Sequence, residues 1–258
     1  MLSRALHDFQ ENCQGNRVIL GLELKKELAW LRYKLFPVVV GFFVAVLLIS
    51  NTTACKIVQI GPFLFDGGTL VFPISYIFGD VLTEVYGYKR SRIAIWTGFG
   101  ACALMALVYQ LVGLAPPAPE WGLQDAYQSI LGQTPRIVLA SLIAFWSGEF
   151  TNAYVLAKMK MLTRGRWLWT RTIGSTVCGE FVDSFVFVVF AFSGLYQPGV
   201  LAYIILSNYV FKTLYEALAT PFTYILVGWL KKVEKCDVYD YDTRFNPFLI
   251  GDFGDDAV

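Results

Sequence analysis

A series of long apolar runs restricts the fold of this chain more than any other feature. The runs cover residues 35–55, 69–86, 93–114, 137–159, 173–195 and 200–230. About 20 apolar residues cross the hydrocarbon of a bilayer, because an α-helix rises 1.5 Å per residue. A membrane β-barrel would instead show segments of about ten residues with alternating polarity, and the sequence has none. The runs predict an all-α integral membrane protein with six transmembrane helices.

The basic residues indicate how the chain is oriented, because Lys and Arg accumulate on cytoplasmic loops. All but three of the 21 Lys and Arg residues fall before the first run, after the second, at or after the end of the fourth, or after the sixth. This alternation predicts that both termini are cytoplasmic. We expect a cytoplasmic amphipathic segment at 1–34, a six-helix membrane domain at 35–235 and an acidic cytoplasmic tail at 236–258, mobile or laid on the surface.

Composition argues against several other classes of protein. A net charge of +1 does not favour a nucleic-acid partner. The five cysteines are scattered and never spaced CxxC, and His7 is the only histidine. An enzyme built on a histidine base, a Ser–His pair or a histidine metal site is therefore disfavoured. We expect no catalytic residues, no metal and no cofactor.

Polar residues inside the predicted helices are the candidates for a functional site. A charged residue at a helix centre costs about 2.5–3.5 kcal/mol to insert, which favours residues that line a path for a polar solute. Several of them are spaced i, i+3 or i, i+4 and so share a helix face. The candidate substrate-binding residues are Asn51, Tyr76, Asp80, Glu84, Glu149, Asn152, Glu180, Asp183, Lys212 and Glu216.

The charges that lie at or inside the predicted membrane region do not balance. Six acids face three bases, Lys56, Arg136 and Lys212. About three carboxylates would thus lack a counter-charge, and each would take up a proton or bind a donor-rich or cationic ligand. An alternative for Lys212 is a structural ion pair with Glu216 in the same helix, and the asparagines could simply join helices by hydrogen bonds.

The two halves of the predicted membrane domain resemble each other faintly. Asn51 precedes Lys56 in the first helix as Asn152 precedes Lys158 in the fourth, and Gly-acid pairs follow in the second and fifth helices. Three helices per half would give the halves opposite orientations, as in inverted-repeat transporters. The pattern predicts a 3+3 inverted repeat.

Several segments of the chain resemble the queuosine-precursor transporters of the vitamin-uptake group. They are the stretches NTTACK at 51–56, FPISYIFGDVLTEVYG at 72–87, GEFVDS at 179–184 and KTLYE at 212–216, with Ala140, Ser141, Asn152, Thr220 and Pro221. The resemblance extends over about residues 35–235. It implies a six-helix protein of the inner membrane that imports 7-deazaguanine precursors of a modified tRNA base.

The cargo that this resemblance implies fits the candidate residues. A deazaguanine ring presents two N–H donors on one edge, which a carboxylate can accept together. Asp80, Glu180 and Asp183 are candidates for that edge, and Tyr76 for stacking on the ring. Asn51, Asn152 and Lys212 are candidates for orienting its polar groups. A substrate-binding subunit of an ATP-driven vitamin uptake complex is the alternative. The exact cargo, the energy source and a homo-oligomeric state stay open.

Overall fold

The computed structural model describes residues 33–60, 63–132, 135–194 and 197–249. The helices in these residues are α1 (Phe36–Thr53), α2 (Phe72–Tyr86), α3 (Tyr88–Leu114), α4 (Gln124–Leu131), α5 (Pro135–Leu162), α6 (Leu168–Phe192) and α7 (Pro198–Glu234). An antiparallel hairpin of β1 (Ile57–Ile60) and β2 (Phe63–Asp66), followed by a 3-10 turn at Gly67–Leu70, joins α1 to α2. The helical class is therefore confirmed, with this small hairpin as the exception.

Within the described residues, three helices are long and apolar enough to cross a membrane: α1, α3 and α6, with 18, 27 and 25 residues. Helix α2 has only 15 residues, about 22 Å of helix, and nearly all of them are buried by the other helices. The 28-residue α5 and the 37-residue α7 contain several of the polar candidates. The six crossings thus stay a prediction, while the eight-residue α4 has no buried residues and lies on the surface.

Helices α5 and α6 approach each other closely at two glycines. A Cβ atom on Gly148 would lie 3.1 Å from the carbonyl oxygen of Gly179, and one on Gly179 would lie 3.0 Å from that of Gly148. Small residues allow membrane helices to pack backbone against backbone. The contact brings the polar faces of α5 and α6 together.

The chain returns to the same end of the bundle after α2, α5 and α7. Glu234, the last residue of α7, accepts hydrogen bonds from the backbone N–H groups of Lys34 and Leu35, at 3.1 and 2.5 Å, just before α1. Val238 donates its N–H to the carbonyl of Val85 at the end of α2. Tyr239 lies against Gly165, between α5 and α6. The α2–α3 and α5–α6 connections therefore lie at the same end of the bundle as the start of α1 and the end of α7.

The described part of the tail packs into this end of the bundle. The Asp240 carboxylate is 3% exposed and accepts the backbone N–H of Tyr88 at 3.0 and 3.1 Å. The Trp96 indole donates to the carbonyl of Pro247 at 2.7 Å. Residues 236–249 therefore lie on the surface of the bundle, which is one of the two alternatives expected for the tail, and Asp240 is the buried residue among them, where it completes the hydrogen bonding of α3. The predicted amphipathic segment before residue 33, with His7, and the side chain of Arg136 lie outside the described residues.

Candidate functional site

Eight of the ten candidate residues lie together between four helices. They are Tyr76 and Asp80 on α2, Glu149 and Asn152 on α5, Glu180 and Asp183 on α6, and Lys212 and Glu216 on α7. We call these eight residues the central cluster. The Tyr76 hydroxyl is within electrostatic range of Glu149, Glu180, Asp183 and Glu216. The helical spacing that predicted shared faces therefore placed these side chains correctly.

Lys212 pairs with the acids of α6. Its Nζ lies 2.5 Å from Asp183 Oδ2 and 3.3 Å from Glu180 Oε2, and it also lies over the Phe72 ring at 4.3 Å from the centroid. The predicted Lys212–Glu216 pair within α7 is wrong, because α6 packs beside α7 and offers two carboxylates to the one ammonium group.

The Asp80 carboxylate is held by an amide. Asn152 donates its Nδ2 hydrogen to Asp80 Oδ1 at 2.8 Å. This bond joins α5 to α2, so Asn152 does link helices, as one interpretation of the sequence suggested. Its Oδ1 atom is buried and accepts no hydrogen bond in the described part of the protein.

Glu149 and Glu216 lack partners within the described residues. Both carboxylates are buried, at 0% and 4% exposure, and none of their oxygens accepts a hydrogen bond. Thr176 lies close to Glu216, but its hydroxyl donates to the carbonyl of Thr172 at 2.8 Å. The Tyr76 hydroxyl is likewise unpartnered. Since buried polar atoms in proteins are nearly always hydrogen-bonded, such a group of exceptions is typical of a ligand site.

Glu84 lies apart from the central cluster, in an ion-pair network. Arg171 binds it through Nε and Nη2, both at 2.7 Å, and Lys231 Nζ lies 2.5 Å from Oε1. Lys160 Nζ lies 3.7 Å away and also 2.6 Å from Asp237 in the tail. The sequence assigned these three bases to cytoplasmic loops, so the count of six acids against three bases is wrong. Their long side chains reach back from the helix ends to a buried acid.

Asn51 makes its described contacts elsewhere. It donates to the carbonyl of Leu47 at 2.9 Å and accepts a hydrogen bond from Ser141 at 3.3 Å. It lines a small cavity with residues of α1, α3 and α5, among them Cys102 and Tyr109. Asn51 therefore joins α1 to α5 outside the central cluster.

Sequence reasoning noted the Gly-acid pairs of α2 and α6, but it missed the packing role of these glycines, Gly148 and the aromatic ring that shapes the cluster. A Cβ on Gly79 would lie 2.6 Å from Glu149 Oε2, and one on Gly148 would lie 2.6 Å from the Tyr76 hydroxyl oxygen. The signal was present, because Gly79, Gly148 and Gly179 each directly precede an acid of the cluster. Nothing in the sequence marked Phe72 as the ring beneath Lys212. No group of three or more His, Cys, Asp or Glu in the described residues is placed to hold a metal ion.

Apolar helices long enough to span a membrane accompany an enclosed, charged interior in this structure. This combination is typical of multi-pass membrane proteins that have a polar site within the helix bundle. The protein-family model described as "Putative vitamin uptake transporter" matches residues 66–226. A relative in Bacillus subtilis (strain 168), named "Probable queuosine precursor transporter", is 31% identical over 176 residues, which are 68% of this chain and 77% of the relative. The chain belongs to the vitamin uptake transporter family. No solved structure matches it.

Proposed function

We propose that this protein imports a queuosine precursor across the cytoplasmic membrane for tRNA modification. The cargo would be 7-cyano- or 7-aminomethyl-7-deazaguanine, or queuine. The name of the Bacillus relative supports this substrate class. The observation that most supports it is the central cluster, where buried carboxylates that have no donor among the described residues lie between four helices. Transport, with no chemical change to the cargo, is the proposed activity.

The chemistry of the cluster matches that of a flat, donor-rich base. A carboxylate can accept two N–H groups from one edge of the ring, and we assign this role to Asp80, Glu180 and Asp183. Asn152 and Lys212 would orient the ring carbonyl, and Tyr76 would stack on the ring face. Glu149 and Glu216 complete the acceptor set, while Glu84 and Asn51 hold helices together.

The membrane arrangement is part of the proposal. We propose that α1, α2, α3, α5, α6 and α7 cross the inner membrane in alternating directions, with both termini in the cytoplasm. The return of the chain to one end after α2, α5 and α7 supports an even number of crossings. A 3+3 inverted repeat remains part of this proposal, and superposing α1–α3 on α5–α7 about an in-plane two-fold axis would test it.

Uptake of labelled deazaguanine into a bacterial strain that cannot make the precursor tests the proposed function. Asp80→Ala and Asp183→Ala, made one at a time, should abolish uptake while the protein still inserts into the membrane. Asp125→Ala, on the exposed surface of α4, is the matched control and should transport normally. Normal uptake by both cluster variants would reject the site.

The same assay separates a self-sufficient carrier from a subunit of an ATP-driven complex. The host strain should lack the energising module of vitamin uptake complexes. Uptake in that host supports the carrier, and uptake that appears only when the module is co-expressed supports the alternative.

A further inference from the structure

The central cluster contains far more negative than positive charge. Its acids are Asp80, Glu149, Glu180, Asp183 and Glu216, and its base is Lys212. Arg171 is within electrostatic range of Asp80, but its guanidinium is already bound by Glu84 and by the carbonyl of Arg166. The excess of acids therefore persists after the cytoplasmic network is taken into account.

The excess is concentrated on two residues from different helices. Asp183 and Glu180 share Lys212, and Asp80 accepts a hydrogen bond from Asn152. Glu149 and Glu216 have no described donor and lie within electrostatic range of each other and of Asp80. A buried carboxylate requires a proton or a positive partner, because an isolated charge in a low dielectric is very costly.

An ammonium group satisfies these atoms better than protons would. A proton on each carboxylate would remove the charge and supply two O–H donors for five buried acceptors, the four carboxylate oxygens of Glu149 and Glu216 and Asn152 Oδ1. An ammonium group has a full positive charge and three N–H donors. Glu149 on α5 and Glu216 on α7 are within electrostatic range of each other, and Asn152 lies about one helical turn along α5 from Glu149.

We infer that the cluster selects a cationic cargo, whose ammonium group binds between Glu149 and Glu216. This inference rests on the proposed function and narrows it. Among 7-deazaguanines, the aminomethyl compound and queuine have a basic amine, whereas the cyano compound is neutral. The ring edge then meets the acids near Lys212, and the 7-substituent points to the unpaired pair.

Glu149 has a fixed position that suits this role. Its carboxylate packs on Gly79, where a Cβ would lie 2.6 Å from Oε2. A carboxylate held against the backbone of α2 keeps its place when a ligand arrives, and little conformational entropy is lost on binding. Selection between charged and neutral cargo then depends on the charge of Glu149 and not on its freedom to move.

Binding to the purified full-length protein in detergent tests the inference. The measurement is the ratio of the dissociation constants for the 7-cyano and the 7-aminomethyl compound. We expect the wild type to prefer the amine by at least about tenfold. Glu149→Gln and Glu216→Gln should each reduce the ratio, because glutamine keeps the shape and removes the charge. Glu120→Gln, on an exposed loop, is the control and should leave the ratio unchanged.

The ratio is insensitive to how much of a variant is correctly folded, since both ligands meet the same active fraction. A wild type that binds both compounds equally well would overturn the inference and leave the proposed function intact. A preference that survives both substitutions would overturn it as well, because glutamine resembles a protonated glutamate and the acids would then be neutral in the native protein. Failure to bind either of these compounds or queuine would contradict the proposed function, and the inference with it.

Discussion

Three glycines set the distances between the helices of the central cluster. Gly79 makes room for the Glu149 carboxylate, while Gly148 and Gly179 let α5 and α6 meet and leave space for the Tyr76 ring. A methyl group at Gly148 would lie 2.6 Å from the Tyr76 oxygen and 2.8 Å from Asp183 Cβ, and at least the second of these atoms is close to the backbone and cannot move freely. The geometry of the site therefore depends on positions that have no side chain.

Gly148→Ala should consequently destabilise the protein and disturb the site. Overpacking of a well-packed interior typically costs about 1–3 kcal/mol of unfolding free energy. Gly100→Ala in α3 is the matched control, because nothing lies within 4 Å of its Cβ position, and alanine is favoured over glycine in a helix by about 1 kcal/mol. Unfolding of both variants in detergent micelles checks this. Equal effects of the two substitutions would contradict the described contact.

At the scale of elements, one buried acid joins four helices and the tail. Glu84 on α2 binds Arg171 on α6 and Lys231 on α7, and Lys160 on α5 also approaches it. Asp237 accepts from Lys160 at 2.6 Å and lies 2.8 Å from Lys231. The network closes the end of the bundle at which the chain reverses after α2 and α5.

Glu84→Gln should therefore be strongly destabilising. Removing the acid leaves the buried Arg171 without its carboxylate, and loss of one partner of a buried ion pair costs about 3–5 kcal/mol. The free energy of unfolding in detergent measures the effect, with the exposed Glu120→Gln as the control. A change as small as that of the control would mean that the network contributes little to stability.

Asp237 gives the tail a pH-dependent attachment. Burial raises the pKa of this carboxyl, but hydrogen bonds from Lys160 and Lys231, together with their charges, outweigh burial and hold its pKa below the ordinary value. A depressed folded pKa gives stability that is present above the unfolded pKa of about 3.9 and is lost as the pH falls through the folded value.

The melting temperatures of the wild type and Asp237→Asn, compared from about pH 7 to about pH 3, test this attachment. The wild type should be more stable at neutral pH, and the difference should shrink toward the acid end. Asp125→Asn, at an exposed position of α4, should show no such pH-dependent difference. A constant gap between wild type and Asp237→Asn would show that charge on Asp237 is not what binds the tail.

The sequence predicted the helices well and their ends less well, for identifiable reasons. Helix α2 begins at Phe72 and not at residue 69, because the 3-10 turn at Gly67–Leu70 occupies the start of the apolar run. Helix α3 begins at Tyr88, five residues early, directly after Gly87, whose φ of 81° breaks the helix. The polar residues 88–92 suggested a loop, yet the tail covers Tyr88 and Arg92.

The cluster could be predicted because buried charge is rare in membrane helices and its spacing places it on one face. Its pairings could not. Whether Lys212 binds Glu216 or the acids of α6 depends on which helix packs beside α7, and periodicity within one helix contains no information on that. The rule that basic residues mark cytoplasmic loops likewise could not predict that Lys160, Arg171 and Lys231 approach a buried acid. The rule uses position along the chain and takes no account of how far a side chain extends.

For the molecule as a whole, the tail and the basic residues give the same orientation. The reversals after α2 and α5 and the two ends of the helical region meet at one end, where Glu234 contacts Lys34 and Leu35 and where Lys160, Arg171 and Lys231 accumulate. The other end has the hairpin and α4, and along the chain its charged residues are two bases, Lys56 before the hairpin and Arg136 after α4, and three acids, Asp66, Glu120 and Asp125. An excess of Lys and Arg favours the cytoplasmic side, so α4 should face outward.

Labelling of single cysteines in intact cells tests this orientation. In a variant whose own cysteines are replaced, Gly122→Cys lies on the exposed connection before α4, and its Cβ position has nothing within 4 Å. It should react with a membrane-impermeant maleimide in intact cells. Arg166→Cys, exposed between α5 and α6, should react only after the membrane is permeabilised. Labelling of both positions from outside would mean that α5 does not cross the membrane, and the reverse pattern would mean that the protein is inserted the other way round.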